Sequence, residues 1–542
     1  MAALLAACPG LRIIATSRER LHLRAEQRYR VEPLPVDDAI SLFLGAVALA
    51  APDFAAGDAD RPVLEQLCLE LDCLPLALEL AAAQLEFEDV ASLLRRLRSQ
   101  RLDVLTGGPG DLPERQRALR LAIADSYDRL QPGEQTLFRL LGLFVGGFDA
   151  EAVAALGFAA SDLGALTRTH LAHRLGGAAS RFGMLETLRA FALERLAAGQ
   201  ELVGARRRHG AYFLGLVEQA EPALHGPEQT GWFHRLVAEI HNLRAAIQHA
   251  LEDGELATAA RLCVGLRHFW TMQSHLEEGR LWLDRVLASG KVGDLEPRLH
   301  TRLLNSRGTI AFYQQDDGEA RKNFGKALAL ANETGDEWAA AFALDGLGAE
   351  AANRGDYAGA AAYSARSLAL SQAGGHTWLS AITLVNLGEI ARLQGDDVKA
   401  AARYEEGLGL LRQVGDGSFT AVTLINLAQL AINAEDWQRA RALACESLQL
   451  GVRTEQPRTI AHSLDKLAAV AAGHGDPLLA GKLFGAAQRL RDEHSITIQP
   501  ADRDDYARLI DTARVQSDPD DFETALRAGY RLPLNDAVAL VL

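Results

Sequence analysis

From residue 315 onward, small and large apolar residues recur along the chain with a short spacing of three to four and a long one of 40. Ala341, Leu344 and Leu347 form one set. Ala381, Leu384 and Leu387, then Ala421, Leu424 and Leu427, then Ala461, Leu464 and Leu467 repeat it at the same phase. Spacings of three and four place such side chains on one face of a helix. Each block also carries an Asp at a fixed place, Asp316, Asp356, Asp396, Asp436 and Asp476, with an Ala four positions later. "GD" or "ED" there predicts a helix stop followed by the N-cap of the next helix. Each block of 40 residues is therefore expected to form two helices. Such pairs leave apolar surface at both ends, so they must stack into a superhelix whose first helices line the concave face.

Upstream the pattern changes. Leu11 to Ala15 is a short apolar run followed by Thr16-Ser17-Arg18, and it reads as a buried strand that carries polar groups to the carboxyl end of a sheet, where nucleotide phosphates sit. Residues 35 to 105 read as helical, with Pro75 at a sharp junction between two helices, and "TGGPGDLP" (Thr106 to Pro113) reads as a linker. The next stretch predicts two helices and a capped third. The polar turn "GGAAS" between "LAHRL" and "RFGML" then predicts the hairpin of a winged helix. The expected organisation is a sheet segment at 1–32, a helical domain at 33–105, a winged helix at 112–203, linking helices and early repeats at 204–300, tetratricopeptide-like repeats of 40 residues at 301–494 and capping helices at 495–542.

Composition narrows the class. A chain of 542 residues, 48% hydrophobic and 23% charged, can bury several cores. Its net charge of -15 argues against coating nucleic acid or an anionic membrane along its length. Five cysteines in apolar helical contexts make no disulfide framework, and no apolar run approaches the roughly 20 residues of a membrane span. A reducing cytoplasm is the expected setting. Neither His170 with His173 nor Cys68 with Cys73 has a second pair at ligand spacing, so no metal is expected. From Leu112 to Arg208 there are 13 arginines against 10 acidic residues, too small an excess to make DNA the expected ligand.

Two resemblances sharpen this reading. "WAAAFALDGLGAEAANRGDYAGAAAYSARSLAL", with Leu347-Gly348, Ala351, Ala360 and Leu368, resembles the tetratricopeptide repeat, whose usual period is 34. The longer period here calls for longer helices or loops. Tetratricopeptide proteins commonly use an Asn one residue before this Leu pair to hold the backbone of an extended ligand. That resemblance makes Asn386 and Asn426, with Glu389 and Gln429, the candidate groove residues for a protein, peptide or small effector. The other role open to the amides is to tie one repeat to the next.

"LRIIATSRERL", "CLPLALELAA", "LQPGEQTLFRLLGLFVGGFDAEA", "RFGMLETLRAFALERL" and "EIHNLRAAIQHAL" resemble, in that order, bacterial STAND-type NTPases of the NB-ARC-like class, the ATP-switched cores of many LuxR-type and SARP-type regulators. The resemblance implies a mainly α fold: a short α/β remnant of a P-loop NTPase, a helical domain, a winged helix that packs internally, and a repeat solenoid. It would make Arg18 the sensor of the γ-phosphate and Pro75 the residue that packs on adenine. Where the family usually has Gly-Leu-Pro-Leu-Ala, this chain begins the motif with Cys73. No Lys precedes Lys291, and the later Gly-Lys pairs are followed by Val, Ala and Leu, so no phosphate loop is legible. The expectation is a non-catalytic regulatory protein without a cofactor of its own, ATP and Mg²⁺ belonging to the complete family. The rivals are an ATP-dependent switch completed by a separate N-terminal part, and a DNA-binding regulator acting through the winged helix.

Overall fold

The structure, a computed structural model, describes residues 7–8, 11–14, 26–27, 29, 31–51, 54, 60–105, 119–176, 180–498 and 503–542. It divides into two compact units, Met1–Tyr212 and Phe213–Leu542.

In the first unit, α1 (Val36–Ala50) packs on α2 (Arg61–Glu70) and α3 (Pro75–Ala82), and α4 (Val90–Val104) packs on α2. Phe43, Leu67, Leu78, Leu93 and Leu97 are fully buried among them. The bend between α2 and α3 is made by two non-glycine residues at positive φ, Asp72 at 55° and Cys73 at 50°. That is the left-handed region glycine favours, which explains why a Gly suits the place that Cys73 holds. Arg18, and most of the expected α/β remnant, lie outside the described residues. The described part of its strand, Leu11 to Ile14, carries no strand pairing and is exposed. A strand needs a neighbour to receive its ladder, and among the described residues none lies beside this one.

The chain continues through α5 (Leu119–Asp128), α6 (Pro132–Leu141), α7 (Ala150–Ala155) and α8 (Ala160–Arg168). Next come the antiparallel pair β1 (His173–Arg174) and β2 (Phe182–Gly183), and α9 (Glu186–Ala198). Phe148 bridges to Phe182 and adds a third short stretch to the hairpin. With Phe138 and Phe191 buried where α6 meets α9, this is the winged-helix arrangement. The tip of the hairpin, residues 177–179, is outside the described residues. Helix α10 (Leu202–Ala223) carries the chain across the boundary between the units.

The second unit begins with α11 (Gln229–Ala238), α12 (Ile240–Glu252), α13 (Leu256–Met272) and α14 (Leu276–Leu287). Five helical hairpins follow: α15 (Pro297–Tyr313) with α16 (Asp317–Thr334), α17 (Glu337–Asn353) with α18 (Tyr357–Ala373), α19 (Thr377–Leu393) with α20 (Asp397–Val414), α21 (Gly417–Asn433) with α22 (Trp437–Arg453), and α23 (Pro457–Gly473) with α24 (Pro477–Glu493). The helices are 17 or 18 residues long and the links within and between hairpins two or three, so longer helices, not longer loops, account for the 40-residue period.

The joints follow the physics of helix ends. Before each repeated Asp stands a residue at positive φ: Gln315, Gly355, Gly395, Glu435 or Gly475. Each Asp then accepts the N–H three residues on, at 3.0 to 3.1 Å. The first helices pack on one another in sequence, and Ala381, Leu384, Ala400, Tyr404 and Leu424 are buried between them and their second helices. Replacing Asp396 by Ala should cost about 1 kcal/mol through the lost cap. Denaturant unfolding followed by tryptophan fluorescence checks it, because all six tryptophans lie in this unit.

The winding is tight. The guanidinium of Arg458, on the first helix of the fifth hairpin, lies 5.6 Å from the ring of Tyr313, on the first helix of the first. The inner face therefore closes on itself within five hairpins. After α24 come α25 (Arg503–Arg514), α26 (Pro519–Arg531), which packs closely on α24, and α27 (Leu534–Ala539).

Candidate functional site

The inner face of the repeats holds the groove residues expected from the sequence, and each has an internal environment. Asn386, half-buried on α19, donates from Nδ2 to Oδ2 of Asp345 on α17 at 3.0 Å. It ties one repeat to the next at this point. Asn426 occupies the equivalent place on α21 and is also half-buried. Glu389 accepts the Tyr404 hydroxyl at 2.6 Å and pairs with Arg392 at 2.5 Å. Gln429 is buried; it donates to Asn433 at 2.8 Å and accepts from the Lys466 ammonium at 2.5 Å.

Burial pushes the Asp345 carboxyl up to about 6, against the pull of its hydrogen bonds from Asn386 and Thr383. An acid raised on folding contributes stability that is present below the unfolded value and lost as pH rises through the folded one. Between pH 4 and pH 7 the wild type should therefore lose on the order of 2 kcal/mol relative to Asp345→Asn, which can keep accepting from Asn386. Denaturant melts of both proteins across that range check the sign. A constant difference would contradict it.

Sequence reasoning missed what lies along this face. The described stretches that follow α24, residues 495–498 and 503–514, make contacts with the first helices. The carbonyl of Thr497 accepts from Arg458 at 3.3 Å, and that of Ile498 from the Gln315 side chain at 2.9 Å. Ile496 is buried. Arg503, at the start of α25, donates to Gln315 at 2.6 Å; Asp505 pairs with Arg392 at 2.6 Å; Arg508 reaches Asn433 at 3.0 Å. Through Arg392 and Asn433, the segment meets the neighbours of Glu389 and Gln429. It is anchored by Tyr506, whose hydroxyl accepts from Arg491 at 2.6 Å and whose ring packs edge-on against Phe484. Arg491 in turn holds the buried Asp465 at 2.8 Å.

Two further cationic or titratable side chains of this unit are buried. Arg267 lies over the Phe342 ring, 4.7 Å from its centroid, and burial pulls its guanidinium down to about 10. Burial, then Arg458, Lys466 and Arg491, pulls His462 down to about 3, so its ring is neutral at pH 7. Arginines hold the Thr497 carbonyl and the Asp505 carboxylate, and the Gln315 amide holds the Ile498 carbonyl, as such groups can hold an extended segment.

In the first unit, Pro75 opens α3 and is exposed. Its neighbour Asp72 faces inward and accepts the backbone N–H groups of Glu186 and Thr187 at 2.8 and 2.9 Å, and the Thr187 hydroxyl at 2.9 Å. The carboxylate thus caps α9 from outside it. The motif that begins at Cys73 is set beside the winged helix by this contact.

The tetratricopeptide repeat family matches residues 379–451. A Mycobacterium tuberculosis (strain ATCC 25618 / H37Rv) protein named "Putative HTH-type transcriptional regulator Rv0890c" is 32% identical over 366 residues, which are 64% of this chain and 41% of that protein. The "Uncharacterized protein Rv0894" of the same strain is 34% identical over 155 residues, 28% of this chain and 39% of that protein. Among solved structures, the Signal Transduction ATPase with Numerous Domains (STAND) protein with a tetratricopeptide repeat sensor PH0952 from Pyrococcus horikoshii aligns over 94% of this chain and 74% of its own, at 12% identity and a TM-score of 0.43. The chain spans about two fifths of the length of the curated relatives it matches. Residues 379–451 carry tetratricopeptide repeats, and the chain is similar over part of its length to a protein named as a putative HTH-type transcriptional regulator. No described helix is long and apolar enough to cross a membrane.

Proposed function

We propose that this chain is the sensing part of a transcriptional regulator, and that its repeat array recognises an extended segment of a partner protein by exchanging it for the chain's own residues 495–498 and 503–514. One observation carries this reading: repeat side chains on hairpins far apart in sequence, Gln315 and Arg458, donate to consecutive backbone carbonyls of the chain's own segment, Ile498 and Thr497. Such bonds read backbone and not sequence, so a second extended segment can take the same donors. Tetratricopeptide repeats in general serve protein recognition, and the similarity to regulators fits an arm that senses. In this reading the chain is not itself a catalyst; ATP and Mg²⁺ act in complete members of the family it resembles. Pro75 and Arg18 would serve a nucleotide only there, and duplex DNA is not the ligand of this chain alone.

The reading requires the segment to open without unfolding the array. Hydrogen exchange on the full chain tests this. Amides of Tyr506 to Arg514 should exchange through openings that leave residues 337–473 protected, and Ile496→Asp should speed exchange in that segment alone. If 506–514 exchange only when the repeats do, the segment is a fixed part of the array and the reading fails.

A further inference from the structure

We propose that His225, His268 and Asp416 form a binding site for one divalent transition-metal ion of the zinc class. The three come from separate places in the second unit: His225 from the turn after α10, His268 from the last turns of α13, and Asp416 from the N-cap of α21. Their ligand atoms all lie within 4.8 Å of one another. His225 Nδ1 is 3.6 Å from Asp416 Oδ2. Nitrogen and oxygen ligands around tetrahedral zinc lie roughly 3.3 Å apart, given metal–ligand distances of about 2.0 to 2.1 Å, so the His225–Asp416 pair is already near that spacing and a wider pair would close by at most about 1.5 Å.

Hydrogen bonding leaves these atoms incompletely used. Asp416 Oδ1 accepts from the Phe419 N–H at 3.0 Å and from Gln229 Nε2 at 3.2 Å, and Oδ2 accepts from Trp378 Nε1 at 2.8 Å. One lone pair of Oδ2 remains. His225 Nδ1 and His268 Nε2 are buried and have no hydrogen-bond partner. Two unsatisfied ring nitrogens beside a carboxylate oxygen are an expensive arrangement for a protein interior, and a metal ion resolves it by accepting all three lone pairs.

The surroundings fit a ligand cage. The His225 ring lies 4.2 Å from that of His268 and 4.1 Å from that of Trp378, and Phe233 and Phe419 stack on His268 at 6.0 and 5.9 Å. These walls hold the two rings in place. The side chain of His225 keeps 15% exposure, which leaves an entry path for an ion from solvent. The adjacent cation, Arg267, is directed onto the Phe342 ring. Two imidazoles and one carboxylate select zinc, cobalt or nickel over calcium and magnesium, which prefer all-oxygen cages. The bound ion would clasp the helices that precede the repeats to the start of α21.

The test uses the full chain, stripped with EDTA and dialysed. Zinc chloride titrated by calorimetry should bind one to one and raise the melting temperature by several degrees, and cobalt chloride should give the visible bands of a four-coordinate ion. His225→Phe and His268→Phe, which keep the aromatic packing, should each weaken zinc binding at least about hundredfold and abolish the cobalt bands. His234→Ala, at an exposed His elsewhere on the same unit, should bind like the wild type. The proposal is overturned if the wild type takes up no stoichiometric zinc, or if both phenylalanine variants retain the affinity and the cobalt spectrum.

Discussion

Arg491→Ala should destabilise the repeat unit by about 3 to 5 kcal/mol, far more than a surface ion pair is worth. Arg491 and Asp465 are both nearly inaccessible, with side-chain exposures of 4% and 7%, and sit 2.8 Å apart. Removing the guanidinium leaves a carboxylate in a dry interior and takes away the partner of the Tyr506 hydroxyl. Burial already pushes the Asp465 carboxyl up, with Arg491 the main force holding it down. The variant should therefore recover part of its loss as pH falls and the stranded acid takes up a proton. Replacing both residues together, Arg491→Met with Asp465→Leu, should cost much less than Arg491→Ala alone, since no charge is left unpaired. Tryptophan-detected denaturation of the three proteins checks the order.

Gly485→Val should release α26 from α24 at a cost of about 3 kcal/mol. A Cβ on Gly485 would run into the backbone carbonyl of Leu526, and one on Gly529 into that of Lys482. Here backbone meets backbone, so no rotamer change relieves the clash. Phe522 and Ala525, buried on α26, would be uncovered together. Limited proteolysis should cut the variant near residues 515–519 while the hairpins from α15 to α23 stay intact. A variant as resistant as the wild type would show that the crossing accommodates the side chain without releasing α26.

These outcomes rest on contacts of very different legibility. The Asp caps were readable because a helix end is decided by three or four neighbouring residues, and the 40-residue period multiplied that local signal fivefold. The stacking of Ala381, Leu384 and Leu424 followed from spacing alone. Asn386 was legible as a polar residue at a repeated place but its partner was not: Asp345 stands on the preceding first helix, and only packing brings the two within 3.0 Å. The segment from Ile496 to Arg514 carries no periodic pattern that couples it to Gln315, Arg392 or Arg458, residues far behind it in the chain. The same holds for His225, His268 and Asp416. Cys73 is a third case, in which the residue type pointed away from the left-handed backbone it adopts at φ 50°. What the order of residues encodes locally was readable, and what superhelical closure brings together was not.

The central claim is that the inner face of the repeats is a recognition surface which the chain's own segment occupies. A fluorescein-labelled peptide of residues 495–514, supplied to the full chain carrying Ile496→Asp and Tyr506→Ala, measures this directly by anisotropy. A tethered segment competes at an effective concentration of about millimolar, so the wild type should bind the peptide at least about tenfold more weakly than this variant. Arg392→Glu, added to the variant, should remove the gain by repelling Asp505 of the peptide. The account is contradicted if the variant binds the peptide no better than the wild type, or if Arg392→Glu leaves the binding unchanged.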